Sequence, residues 1–506
     1  MRVVICGAGT AGCVLAARLS EEPGLEVTLL EAGPHYRPGR WPAELAHSHR
    51  IVKESHDWGW WARAGASPRL VHVPRGRVVG GSSATNGAIA LRGHPAHYDE
   101  WADAAPGWDW ASLLPWFRRL ERDLDFPEAP WHGDAGPIPI SRYPAERWLE
   151  LQSRFAEAAV ACGHPEVADH NAPGALGLGP IPLNMVDGAR QTPADRYLDP
   201  ALGRPNLRLE SEVVVDRVRL VGGRASAVEG LDRGGRATRW PAEAVIVCLG
   251  TYASPACLLR SGVGPEEELR RHGIPVAHAL PGVGRGMQDH PKISYRFDLV
   301  GLEPPRWPAP WYQVLLTGTV EAPDGPRIYQ VMPYNGVADG GQRYTDLNVQ
   351  LSDARSRRGS VRLASTDPRA QPAIEMGWLL EDGDRAAARA AGERLLELAA
   401  RAPLADVLAG WPNLADPDHA LRTVETFHHP VGTCRMGPAE DPGAVVDGAG
   451  RVHGLAGLWV MDAAVIPRIP SANTHLAVIA VAERLGSAFR AAGAEEARVA
   501  ARSEAT

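Results

Sequence analysis

Two histidines stand side by side in TFHHPVGTCRMG (residues 426–437). An imidazole is the side chain whose ordinary pKa lets it take and return a proton near neutrality. Neighbouring residues of a strand point to opposite faces, so alternation lets only one of His428 and His429 look into a given cavity. A third histidine, His475, lies in SANTHLAVIAVAERLG (471–486) where an apolar helix is expected to start, with Asn473 two residues before it. Proton transfer beside a bound group is the chemistry such residues could do. The chain has 18 histidines, so residue type alone selects none of them.

The elements that must position these groups begin at the N-terminus. RVVICGAGTAGCVLAARLSEEPGLEVTLLEAG (2–33) reads as apolar strand, glycine turn, helix, polar loop and second apolar strand, the order of a βαβ unit. Gly7 permits the tight turn, Gly9 lets backbone approach a pyrophosphate, and Gly12 lets the helix sit close on the sheet. Thr10 and Ala11 open the helix, whose N-terminal N–H groups and dipole favour phosphate. Glu31, about 20 residues beyond the last glycine, is placed to accept hydrogen bonds from an adenosine ribose. Together these predict dinucleotide binding without separating FAD from NAD. Near the other end, GLWVMDAAVIPRIPSANTHLAVIAVAERLG (457–486) predicts a strand ending at Asp462, a proline-marked loop and a helix from about His475.

Composition narrows the class. At 506 residues the chain exceeds what one core usually supports, so two joined domains are expected. Apolar content of 44% and charged content of 22% are ordinary soluble values. No run of apolar residues is long enough to span a bilayer, and no cleavage-site pattern follows the N-terminal stretch, so secretion is not expected. Six scattered cysteines (Cys6, Cys13, Cys162, Cys248, Cys257 and Cys434) lack metal-ligand spacing; reduced thiols, no metal and a cytoplasmic location are expected. A net charge of −7 gives no support for nucleic acid or an anionic membrane as partner. Lys53 and Lys292 are the only lysines.

Five ordered segments give the chain a resemblance to the glucose-methanol-choline family of FAD-dependent oxidoreductases. Beside the N-terminal turn, PRGRVVGGSSATNGAIALRG (74–93) is similar to that family's first signature and GTYASPACLLRSGVGP (250–265) to its second; LPGVGRGMQDHP (280–291) and the two C-terminal stretches complete the set. The resemblance implies an α/β fold, a Rossmann-like FAD-binding domain with a second, substrate-binding domain built on an antiparallel sheet. It implies FAD contacts from Gly76, Gly80, Gly81, Ser82, Ser83, Asn86 and Gly87 of the first signature, from Val214 and Gly250, and from Asp462, Ala463, Thr474 and His475. Thr85 stands before Asn86 where covalently flavinylated relatives carry histidine, so non-covalent FAD is implied. Arg285-Gly286 departs from the acidic residue and asparagine common in relatives.

By the same resemblance His429 is the catalytic base, with His428 its outward neighbour, and His475 holds the second catalytic position, with Asn473 a rival two residues away. The implied reaction oxidises an alcohol: His429 takes the hydroxyl proton, His475 holds the oxygen, and hydride passes to flavin N5. Oxygen, or a quinone or mycofactocin-like carrier, is the implied electron acceptor. A non-oxidative lyase or photodecarboxylase of the same fold is the alternative, and the retained His429 argues against the decarboxylase. A flavin-binding protein without redox turnover is a third reading. His290 of QDHP is read as structural.

The FAD-binding domain is expected in three pieces, 1–95, 200–288 and 430–490, interleaved with substrate pieces, a substrate/cover region at 96–199 and a substrate-binding region at 289–429, before a frayed tail at 491–506. KISYRFDLV, RIYQVMPY, LNVQLS and GSVRLAS predict one antiparallel sheet forming a cavity wall, followed by a helix over 383–401. Trp58, Trp60, Trp61, Trp307 and Trp311 are placed beside that cavity, where aromatic walls suit an aromatic alcohol or the face of a sugar.

Overall fold

The apolar strand Arg2–Cys6 is the middle of a five-stranded parallel sheet assembled from distant parts of the chain. Its order is Leu207–Glu210, Glu26–Leu30, Arg2–Cys6, Ala244–Val247, Leu458–Val460. Parallel strands are covered on both faces and therefore read as continuous apolar runs; all four residues of Ala244–Val247 are buried. Helix Thr10–Leu19 and the C-terminal helix His475–Glu504 pack on each other. The computed structural model describes residues 1–37, 39–47, 51–303, 311–337, 343–412 and 419–504.

A second, antiparallel sheet follows the order Leu408–Ala409, Pro291–Leu299, Arg343–Leu351, Arg327–Val337, Val314–Val320, Gly177–Pro180, with Glu425–Thr426 also paired to Pro291–Leu299. Residues along Pro291–Leu299 alternate between buried and more accessible positions, as a sheet with two different faces requires. Helices Asp382–Ala399 and Glu150–Ala161 pack against it and share its apolar cluster.

Two expectations are corrected. GSVRLAS does not join the antiparallel sheet: Gly359–Arg362 pairs with Arg285–Met287 and Ala373–Glu375, in a separate sheet that also holds Trp61–Arg63 and Leu70–His72. Local alternation gives a strand but not its partner, which long-range packing chooses. Within 96–199 the strand Gly177–Pro180 extends the antiparallel sheet by pairing with Val314–Val320. The tail is helical through Glu504, where alanine, glutamate and arginine favour helix.

Gly286 of the departing Arg285-Gly286 pair adopts φ +74°, a conformation that suits glycine. Among the described residues no helix is long and apolar enough to cross a membrane. All six cysteines are free, and all but Cys162 are buried.

Candidate active site

The glycine turn is shaped by close backbone contact. A Cβ on Gly7, at φ +97°, would lie 2.5 Å from the Cys248 carbonyl oxygen, and one on Gly12 would lie 1.9 Å from that of Gly7. Gly9 differs: the nearest atom to its Cβ position is Gly81 Cα at 4.0 Å, so its backbone borders open space. That space is a cavity of about 880 Å³ which Gly7, Gly9, Thr10, Ala11 and Glu31 line. Glu31 accepts hydrogen bonds from the N–H groups of Ala8 (3.0 Å) and Gly33 (2.8 Å), and burial pushes its carboxyl up to about 7. A helix N-terminus beside an open glycine, with a buried carboxylate beyond it, fits the pyrophosphate and ribose of a dinucleotide.

The loop at 76–87 completes this cradle by backbone packing. A Cβ on Gly76 would meet Gly81 O at 2.3 Å, and one on Gly81 would meet Gly9 Cα at 2.7 Å. Ser82 Oγ accepts from Gly76 N at 3.2 Å, Ser83 Oγ donates to Gly80 O at 2.6 Å, and Asn86 Oδ1 accepts from Ala88 N at 2.9 Å. Gly76, Gly81, Ser82, Ser83, Asn86 and Gly87 all border the cavity. Gly12 and Gly80 do not; they serve the packing beneath it. Val214, Gly250, Ala463 and Thr474 line the same cavity. Asp462, also on its wall, accepts from Gly250 N (2.7 Å), Ser254 Oγ (2.6 Å) and Ala464 N (2.7 Å), so it ties the second signature to the C-terminal loop.

His429 lines the same cavity and is buried, at the centre of a hydrogen-bonded row. Its Nδ1 lies 3.0 Å from His290 Nδ1, and its Nε2 lies 3.0 Å from Asn473 Nδ2. Gln350 Nε2 donates to His290 Nδ1 at 3.2 Å. Since an amide nitrogen only donates, His290 Nδ1 is the acceptor and His429 Nδ1 carries the proton. The lone pair of His429 is therefore on Nε2, beside Asn473. Burial holds the His429 imidazole well below its ordinary pKa, with His290 and Arg75 adding to the effect, so the ring is neutral. Asp289 anchors its backbone, accepting from His429 N at 2.8 Å and from Thr426 Oγ1 at 2.7 Å.

His428 does not point away. It lies beyond the short strand Glu425–Thr426, adopts φ +71°, and borders the same cavity as His429. Alternation requires both residues to be extended, and the left-handed backbone at 428 breaks it. His475 begins the C-terminal helix and borders the cavity, and its buried Nε2 has no hydrogen-bond partner among the described residues. Burial pushes its pKa down to about 4, with Arg190 contributing. The hydrogen bond to His429 comes from Asn473 rather than His475. Sequence reasoning missed His290, Asp289 and Gln350: QDHP gave the first two only as a motif, and Gln350 carried no local signal.

Trp58, Trp60 and Trp311 border the cavity, while Trp61 is 49% exposed and packs on His72. Trp307 lies outside the described residues. The antiparallel sheet forms a wall through Lys292, Arg296, Tyr334, Tyr344 and Asp346. Elsewhere Glu121, Asp123 and His132 form a buried cluster with metal-like spacing. Arg92 and Arg142 already pair with those carboxylates, which makes it an ion-pair network.

The description GMC oxidoreductase belongs to two family models that match residues 1–292 and 354–482. The chain belongs to the GMC oxidoreductase family. An oxygen-dependent choline dehydrogenase of Chromohalobacter salexigens is 36% identical over 96% of this chain and 94% of its own length. A 5-(hydroxymethyl)furfural oxidase of Methylovorus sp. is 35% identical over 96% of this chain and 98% of its own. The crystal structure of pyridoxine 4-oxidase from Mesorbium loti superposes with a TM-score of 0.86 at 31% identity, covering 97% of this chain and 99% of that one. As a GMC oxidoreductase the chain is an FAD-dependent enzyme that oxidises a CH–OH group, and nothing favours the lyase alternative.

Proposed function

We propose that this GMC oxidoreductase oxidises a small alcohol to a carbonyl compound with His429 as the base. The carrying observation is the row Gln350, His290, His429, Asn473, which presents a neutral imidazole lone pair at Nε2 to the cavity. FAD, held at the glycine cradle, supplies the hydride acceptor. An alcohol O–H brought to His429 Nε2 takes the place of the Asn473 amide as donor. Proton transfer to Nε2 then gives the C–H bond the electron density that makes it a hydride donor. The freed Asn473 N–H is placed to hold the alcohol oxygen. His475, neutral and with an unsatisfied buried nitrogen at a helix N-terminus, is a second polar group for the same oxygen.

The FAD is bound non-covalently: Thr85, whose hydroxyl contacts Ser82 O at 3.4 Å, offers no imidazole for attachment. Relatives are named for choline, 5-(hydroxymethyl)furfural and pyridoxine. The electron acceptor is oxygen or a separate quinone-like or mycofactocin-like carrier, and five buried free thiols suit a reducing cytoplasm. Anaerobic titration of the holoenzyme with aromatic, aliphatic, polyol and sugar alcohols tests the reading. Bleaching of the flavin absorbance by one class is expected, and the rate of recolouring in air separates oxygen from a carrier. Absence of bleaching with every class would contradict it.

A further inference from the structure

Both of the chain's two lysines, among 53 Lys and Arg residues, open into the cavity that holds His429. Their surroundings differ. Lys292, 19% exposed, pairs with Glu425 at 2.8 Å. Nearby Arg296 makes a two-pronged pair with Asp346 at 2.8 and 2.9 Å. Lys53 is exposed on the cavity wall and forms no ion pair with any described residue. The charge it feels most strongly is the like charge of Lys292, ahead of Glu425, Glu54 and Asp57. On this part of the wall Lys292 and Arg296 are paired with Glu425 and Asp346, and Arg75 acts on the buried Asp289 carboxylate, so Lys53 is the cation there without an ion-pair partner among the described residues.

The same cations act on the catalytic end. His428, adjacent to His429, has a buried Nδ1 without a partner among the described residues, and after burial itself the groups that most oppose its protonation are Lys53, Arg75 and Lys292. The neighbouring wall is aromatic, with Trp58 and Trp60 stacked at 5.1 Å and Phe427 beside His429. Lysine is a mobile point charge on a flexible stem, suited to meeting an anion that is not part of the protein. A single unpaired ammonium group matches a carboxylate monoanion better than a phosphate dianion.

We propose that the physiological substrate is an alcohol that also carries a carboxylate, and that Lys53, backed by Lys292, is the residue that binds that carboxylate. A carboxylate beside the two ammonium groups relieves their repulsion and gives Lys53 a partner. A cationic alcohol meets that repulsion instead. This specificity rests on the reading of His429 as an alcohol base, but its binding component can be measured without turnover.

The test uses holoenzyme and four ligands: benzyl alcohol, 4-(hydroxymethyl)benzoate, its trimethylammonium counterpart, and terephthalate, which carries no alcohol. Dissociation constants come from anaerobic flavin reduction for the alcohols and from the flavin difference spectrum for terephthalate. The expected result is binding of the benzoate about tenfold tighter than benzyl alcohol, the scale of one charge-assisted hydrogen bond. Lys53→Gln should bring that ratio close to 1, and Lys53→Glu should invert the preference toward the trimethylammonium alcohol. Equal binding of neutral and anionic alcohols in the unaltered enzyme, or an unchanged ratio in Lys53→Gln, would overturn the proposal while leaving alcohol oxidation intact. If no alcohol bleached the flavin, the oxidoreductase reading would fall, and terephthalate binding that Lys53→Glu abolishes would still support Lys53 as an anion site.

Discussion

Replacing His290 with phenylalanine removes the acceptor of the His429 Nδ1 proton while keeping a ring of similar size. The wild-type contact is 3.0 Å long, buried, and shared with Gln350. A net hydrogen bond of this kind is worth about 1–1.5 kcal/mol, so it biases the His429 tautomer toward a free Nε2 by about tenfold. Its loss leaves a buried N–H unsatisfied and lets the ring turn or change tautomer. Flavin reduction should therefore slow by about 10- to 100-fold, with the substrate dissociation constant changed much less, because the base is misdirected while the binding walls stay in place. Anaerobic stopped-flow over a range of substrate concentrations separates the two constants. His290→Asn, which offers an amide oxygen as acceptor, should recover part of the rate. A His290→Phe enzyme that holds FAD and reduces it at the wild-type rate would refute the tautomer reasoning.

Other outcomes follow from the same geometry. Gly12→Ala places a methyl 1.9 Å from a backbone oxygen that cannot move aside, so the purified variant should retain less than about a tenth of the wild-type FAD, read from its flavin-to-protein absorbance ratio. Burial raises the Glu31 carboxyl to about 7, and ribose hydroxyls donating to it favour the ionised form, so FAD binding expels a proton below that pH. FAD affinity of the apoprotein should thus rise from about pH 5 to about pH 7 and then level; Glu31→Gln should flatten that rise, and a pH-independent wild-type affinity would contradict it. His429, held well below its ordinary value by burial, keeps its base form as the pH falls, so the reduction rate should stay level from about pH 8 to about pH 6. A fall with an apparent pKa near 6.5 or higher would count against it.

Much of this was readable in the chain because the relevant signals are local. The turn itself sets Gly7 through its φ of +97° and Gly12 through its contact with Gly7, and the helix start at His475 follows from the proline-marked loop before it. The partners of His429 were not readable. His290 and Gln350 lie 139 and 60 residues from the groups they meet, and only the folded sheet brings them together. His428 was misplaced because strand alternation was applied across a residue with φ +71°. The lysines were visible as a compositional oddity, but their common cavity depends on a loop and a strand that no local pattern pairs.

The most direct measurement is anaerobic flavin reduction by the best alcohol in His429→Ala, at matched FAD content. The predicted result is retained FAD with reduction slowed by about 10²- to 10⁴-fold, the usual contribution of a positioned acid–base group. Reduction at the wild-type rate in that variant would show that the Nε2 lone pair of His429 takes no part in the reaction.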